Sequence, residues 1–157
     1  MICVVDKNNK IINIINVDSP TRENERICYP WNSLWEQYTD VEPLEYAKQS
    51  KTAEFKAERD SKEVEPITYN GHSYDYDSKA RERINAAIIA LDQQGADADI
   101  AWTTADDNDV TVTAADLRAV IAAVAVRSNA LHVKYRKAKA QIEAAGNAEE
   151  VNAVCME

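Results

Sequence analysis

TAADLRAVIAAVAVRSNALHVKYRKAKAQIEAA, residues 113–145, runs without a proline or a glycine. Its apolar or small residues Leu117, Ile121, Val124, Ser128, Leu131, Tyr135, Ala138, Ile142 and Ala145 step alternately by four and three. A residue every ~3.5 positions draws one nearly straight seam down an α-helix, the geometry for lengthwise packing against another helix. Thr113 is placed to accept from the N–H groups of the first turn while Asp116 reaches back, a capping box with Asp in place of Glu. Lys134, Arg136, Lys137 and Lys139 crowd the later part, where positive charge is expected to complement the carbonyl end of the helix dipole. Gly146 is expected to close the helix in the left-handed conformation. About 33 residues at ~1.5 Å each make a rod of roughly 50 Å, longer than one core of this size needs. Part of the seam is therefore expected to face another subunit, with an intrachain helical hairpin as the plainer use of such a stripe. The leading reading is assembly, not catalysis.

Towards the amino terminus the period changes from helical to alternating. Ile2 to Val5 and Lys10 to Val17 are rich in β-branched residues around the turn Asp6-Lys7-Asn8-Asn9, a β-hairpin. An irregular polar stretch, residues 21–26, precedes Tyr29, Trp31, Leu34, Trp35 and Tyr38, and this aromatic cluster is expected to cover the hairpin, or, left exposed, to dock a partner. Pro43 opens a thinly amphipathic helix to about Lys62 that includes Phe55 and is expected to bridge two parts of the molecule or lie on a partner. Val64-Glu65-Pro66 ends it. Next comes Asn70-Gly71 between alternating large residues, the strongest short hairpin signal. Asp77 or Ser78 caps a helix to about Gln94 with Ile84, Ala87, Ile88 and Leu91 on one face. Short strands around Trp102 and Thr111 flank the acidic turn at residues 105–109, and Asn147 with Glu150 caps a last short helix. The fold class is α+β: a small β-rich module (residues 1–42), a bridging helix and linker (43–65), and a mostly helical domain with hairpins (66–157).

Composition narrows the function. A formal charge of −9 over 157 residues argues against gripping nucleic acid through phosphates. No segment approaches the ~18 apolar residues of a membrane span, and the apolar start, Met1 to Val5, breaks at once into Asp6 and Lys7, so it reads as a strand and not a secretion signal. Cys3, Cys28 and Cys155 are too few and scattered for a disulfide framework or a paired-ligand zinc site, which points to a reducing cytoplasm.

Candidate chemistry stays weak. Asp106, Asp107, Asn108 and Asp109 lack the alternation, central glycine and closing Glu of a calcium loop. His72 and His132 are isolated, and three glycines leave nowhere to build a phosphate loop. Tyr69, Tyr74 and Tyr76 suit a stacking platform for a sugar or base, but cross-strand packing is the commoner fate. No catalytic residue, cofactor or metal is expected. The candidate partner-binding residues are Trp31, Trp35, Tyr38, Phe55, Leu117, Ile121, Val124, Leu131, Tyr135 and Ile142.

Asn70-Gly71 before Tyr74-Asp75-Tyr76-Asp77, then Arg83-Ile84, Trp102, Ala105-Asp106, Asn108, Val112-Thr113, Leu117, Lys139, Ile142 and the close from Gly146 to Val154 carry a resemblance. Over roughly residues 67–154 the chain resembles the domain of unknown function found at the carboxyl end of many bacteriophage tail-fibre-associated proteins. The first 66 residues resemble short amino-terminal modules of phage proteins only loosely. The resemblance implies a non-enzymatic assembly chaperone or fibre-tip accessory, in the virion tail or in the host cytoplasm during assembly. Its expected partner is a tail-fibre or other tail protein, with a homo-oligomer as a further expectation and no nucleic acid or membrane insertion. The rival readings are a permanent virion adaptor between fibre and tail, a cell-wall glycan hydrolase, which would need two convergent carboxylates beside a cleft, and a protein that binds a host partner.

Overall fold

The computed structural model describes all residues 1–157. It is an α+β fold of seven strands and four helices that divides into two compact units, residues 1–51 with 141–154 and residues 52–140 with 155–157. In the first unit, β1 (Ile2–Val5) is the centre of an antiparallel sheet ordered β2-β1-β3, with β2 at Ile11–Ile15 and β3 at Glu25–Ile27. The β1–β2 turn closes as its sequence suggests: Asp6 Oδ1 accepts from the N–H groups of Asn8 (2.8 Å) and Lys10 (3.0 Å), while Asn9 takes a φ of 62°. Cys3, Val5 and Ile11 form a small core against Ile14, Cys28 and Tyr38.

β3 begins inside the stretch expected to be irregular and ends one residue past it, at Ile27. Its three residues, Glu-Arg-Ile, are too few and too polar to show a period, and the strand exists because β1 offers it a free edge, pairing Ile2 with Ile27 and Val4 with Glu25. Glu25 is buried, but its carboxylate accepts from the N–H groups of Thr21 (2.7 Å) and Arg22 (3.1 Å), which holds its pKa below the usual value.

The aromatic cluster covers the hairpin only in part. Tyr38 packs on the small core and donates its hydroxyl to Ile27 O at 3.0 Å. Trp31 stacks on Tyr29 at 5.0 Å, meets the Tyr46 ring edge-on and donates Nε1–H to Thr39 O at 3.1 Å. Trp35 is 63% exposed, because its backbone takes the left-handed region, φ 72°, at the bend where residues 35–38 are strapped to β2.

Also in this unit, α1 (Leu44–Glu63) begins just after Pro43, whose carbonyl accepts from the Ala47 N–H at 3.0 Å. The short α4 (Ala148–Asn152) is capped by Asn147, which accepts from the Glu150 N–H at 2.9 Å, and Val151 anchors it. Gly146 is not left-handed. Its N–H donates to Glu150 Oε2 at 2.7 Å, and the end of α3 (Ala114–Ala144) tightens instead through the Ala145 N–H shared between Gln141 O and Ile142 O. The expected cations do not serve that terminus either: no basic residue lies in the last turn of α3, and the dipole's reach is about one turn. A cation comes from elsewhere in the unit, Lys48 Nζ donating to Glu143 O at 2.8 Å.

The second unit holds two hairpins and three helical stretches. β4 (Ile67–Tyr69) and β5 (His72–Tyr74) turn through Asn70 and Gly71, at φ 48° and 79°, both positive as this turn demands. α2 (Ser78–Gln94) starts at Asp77, which accepts from the Ala80 N–H at 2.8 Å, and stops at Gly95, φ 118°. β6 (Asp99–Thr103) pairs in register with β7 (Asp109–Thr113), and the turn between them is tied to the first hairpin by the Ala105 N–H donating to Ser73 O at 2.8 Å. β7 runs straight into α3 through the expected capping box: Thr113 donates both N–H and Oγ1–H to Asp116 Oδ2 and accepts from the Asp116 N–H. The unit's core is Tyr74, Ile84, Leu91, Trp102, Val112, Leu117 and Val120, with the Arg83 guanidinium 4.8 Å above the Trp102 ring.

Candidate interaction surfaces

The long helix carries two apolar stripes. The inner one is the seam read from the spacing: Leu117, Val124, Leu131, Ala138 and Ile142 are buried, while Ile121, Ser128, Tyr135 and Ala145 are half-buried. The chain itself covers that seam. Phe55 of α1 is buried too, and within the second unit α1 and α3 run antiparallel, Glu63 lying against Ser128 and His132, and Arg59 lying 4.7 Å from the Tyr135 ring.

The outer stripe was not singled out in the sequence reading. Ala115, Ala122, Val126, Ala130 and Val133 all face solvent, Val126 at 73% and Val133 at 47% exposure. The signal was there: apolar residues also fall between the seam positions, so α3 is weakly amphipathic over its 31 residues, and a helix apolar on two sides has two surfaces to cover. Ile89, 60% exposed on α2, is a further exposed apolar residue of the unit.

Polar groups converge at the carboxyl end of α1. Arg127 donates to the carbonyls of Glu63 (2.9 Å) and Pro66 (3.1 Å), while Ser128 Oγ and His132 Nε2 both reach Glu63 Oε1 at 2.9 Å. Beside them lies a cleft of about 430 Å³ lined by Glu63, Tyr76, Arg81, Ile121 and Val124 among others. Serine, histidine and glutamate invite comparison with a hydrolytic triad, but here hydroxyl and imidazole both turn to one carboxylate oxygen, where nucleophile activation needs the hydroxyl on the imidazole. The arrangement does the work of a helix cap: Arg127 of α3 satisfies the last carbonyl of α1, that of Glu63, and holds the Pro66 carbonyl just beyond it.

The other sequence candidates are absorbed by packing. Tyr74 is buried and Tyr69 and Tyr76 are half-buried against the core, the first two from the paired strands β5 and β4 and Tyr76 from just beyond β5. Asp106 accepts from Thr104 Oγ1 (2.6 Å) and Asn108 Nδ2 (2.8 Å), bonds internal to its own turn that hold its pKa low. His72 lies on β5 near enough to add to that lowering. No cluster of three His, Cys, Asp or Glu side chains is placed to hold a metal ion, and no helix is long and apolar enough to cross a membrane.

Of the ten candidate partner-binding residues, Trp35 is openly exposed, Trp31, Tyr38, Ile121 and Tyr135 are half-buried, and Phe55, Leu117, Val124, Leu131 and Ile142 lie in the interior. Comparison with curated proteins and with solved structures returned no match. One family model does match, spanning residues 46–154 from early in α1 to the end of α4, well over half of the chain. The chain therefore belongs to the family described as Domain of unknown function (DUF4376).

Proposed function

We infer that this chain is a non-enzymatic tail-fibre-associated protein of a bacteriophage, acting as an assembly chaperone or fibre-tip accessory in the host bacterium. The observation that carries the reading is the outer stripe of α3, where Val126 and Val133 stand exposed on a helix whose opposite face is already packed. Small alanines around two exposed valines let another helix approach closely, and exposed apolar surface of this kind marks contact with protein. The resemblance to phage tail-fibre-associated domains supplies the partner class, a helical segment of a fibre or other tail protein.

The test is coexpression with the tail-fibre protein of the same phage, followed by light scattering on the purified material. A complex of defined mass is expected, together with its loss in the Val126→Glu/Val133→Glu double variant, whose melting temperature should stay close to that of the parent because both sites are exposed. Failure of the unaltered chain to associate with any tail protein sinks the reading. A chaperone is absent from purified particles, whereas the rival permanent adaptor is retained in them.

A further inference from the structure

The later part of α3 carries Lys134, Arg136, Lys137 and Lys139, yet a carbonyl in the helix's last turn takes its cation from Lys48. Three of the four have no use inside the chain: Lys134, Arg136 and Lys137 are exposed and make neither a hydrogen bond nor an ion pair. Elsewhere in the same unit Arg59, Lys62 and Arg118 each hold a carboxylate, that of Asp60, Glu58 and Asp92 in turn. In a chain of formal charge −9, adjacent positive charges with no answering acid leave a local field of the opposite sign to the whole.

Their places on the helix give them a common direction. Lys137 lies four residues past Val133 and seven past Ala130, so it continues the outer stripe. Lys134, four past Ala130, stands on one flank of that line, and Arg136, three past Val133, on the other. The outer face of α3 therefore has two parts: an apolar run from Ala122 to Val133, about three turns long, and a cationic turn after it at residues 134–137.

A second copy of this chain does not supply the matching charge. α3 has two acidic residues, Asp116 and Glu143, one near each end, and Asp116 is already held by the Thr113 hydroxyl and N–H. Parallel pairing of two copies sets cations against cations. Antiparallel pairing that brings Glu143 opposite Lys137 centres on Ala140 and leaves Val126 uncovered. An anionic lipid surface would satisfy the cations, but a helix that lies in a membrane needs large apolar residues beside them, and this run offers alanine and valine. Small side chains suit the close approach of another helix, and the cations select its charge.

We propose that the outer face of α3 takes an acidic amphipathic helix of the partner. The apolar line of that helix lies on Val126 and Val133, and its Asp and Glu side chains, gathered in the turn beyond, pair with Lys134, Arg136 and Lys137. The inference rests on the tail-protein reading above, which uses the apolar stripe alone, and adds the feature that selects one helix among many apolar ones.

The test titrates the labelled tail-fibre protein of the same phage with the full chain and follows fluorescence anisotropy at a series of salt concentrations. Affinity is expected to fall as salt rises. Lys134→Glu/Lys137→Glu should raise the dissociation constant about tenfold and flatten that salt dependence, with the melting temperature close to the parent's because both sites are exposed. Carbodiimide, which joins an amine to a carboxylate beside it, should link Lys134 and Lys137 to Asp or Glu residues of one partner segment, read by peptide mass mapping. A complex that Val126→Glu/Val133→Glu breaks and the lysine reversals leave unchanged overturns this proposal while the tail-protein reading stands. Crosslinks confined to a second copy of the chain, or a parent that gathers on phosphatidylserine vesicles and not on the fibre protein, overturn it too. A parent that binds no tail protein removes both.

Discussion

Leu117→Ala asks whether the seam of the long helix is the chain's own core. Leu117 is 0% exposed and sits with Ile84, Leu91, Trp102, Val112 and Val120, which come from α2, β6, β7 and α3 itself. Three side-chain carbons leave a dry site, a transfer loss of about 2.4 kcal/mol at ~0.8 kcal/mol per carbon. Neighbours fixed in four elements cannot all collapse inward, so a cavity term raises the expected cost to about 3–4 kcal/mol. For a chain of this length that lowers the melting temperature by roughly 6–16 °C. Urea unfolding followed by circular dichroism, at two protein concentrations a hundredfold apart, is the assay. The difference between parent and variant should be the same at both. A cost below about 1 kcal/mol, smaller than even the transfer term, would refute the packing argument. A difference that grows with concentration, by up to about 2.7 kcal/mol over the hundredfold range, would mean that the seam faces a subunit after all.

The capping box at the start of α3 predicts a pH effect. Hydrogen bonds from the Thr113 hydroxyl and backbone N–H hold Asp116 below the usual carboxylate value of 3.8. A depressed folded pKa contributes stability that is present above the unfolded pKa and is lost as pH falls through the folded one, so the loss belongs below about pH 4. Thr113→Val should flatten that acid limb and cost about 1 kcal/mol at neutral pH, read from urea melts at a series of pH values; an unchanged limb would contradict the assignment. Burial, reinforced by the hydrogen bond with Cys28, pushes the Cys3 thiol up to about 12. Because the thiolate is the reacting species, Cys3 should resist maleimide at pH 8 in the folded chain and be modified on unfolding in urea, as mass mapping of its peptide would show.

Much of the fold was legible because it depends on short-range signals. Asn70-Gly71, Asp77, Gly95, Thr113 with Asp116, and Asn147 with Glu150 each encode their own conformation within a few residues, and each does in the structure what its sequence indicates. Misses arise where the deciding partner is distant in sequence, as for β3 and the end of α3, or where the local backbone departs from expectation, as at Gly146 and Trp35. β3 has no pattern of its own and is a strand only because β1 has an open edge. Lys134, Arg136, Lys137 and Lys139 looked like dipole partners on their own helix, yet Lys48 of α1 bonds a carbonyl in its last turn. Trp35 looked like core by its chemistry and is exposed by its backbone.

The same division holds for the candidate surfaces. Spacing alone determined that this stretch forms a helix with a straight apolar seam, Ala114–Ala144 in the structure, since periodicity is a property of one segment. Only the tertiary structure decided that the seam is covered from within the chain, and hence that the exposed apolar residues of this helix lie on its opposite stripe at Val126 and Val133. Burial is a relation between segments far apart in sequence, and a chain read one segment at a time carries no record of which of its apolar faces has already found a partner.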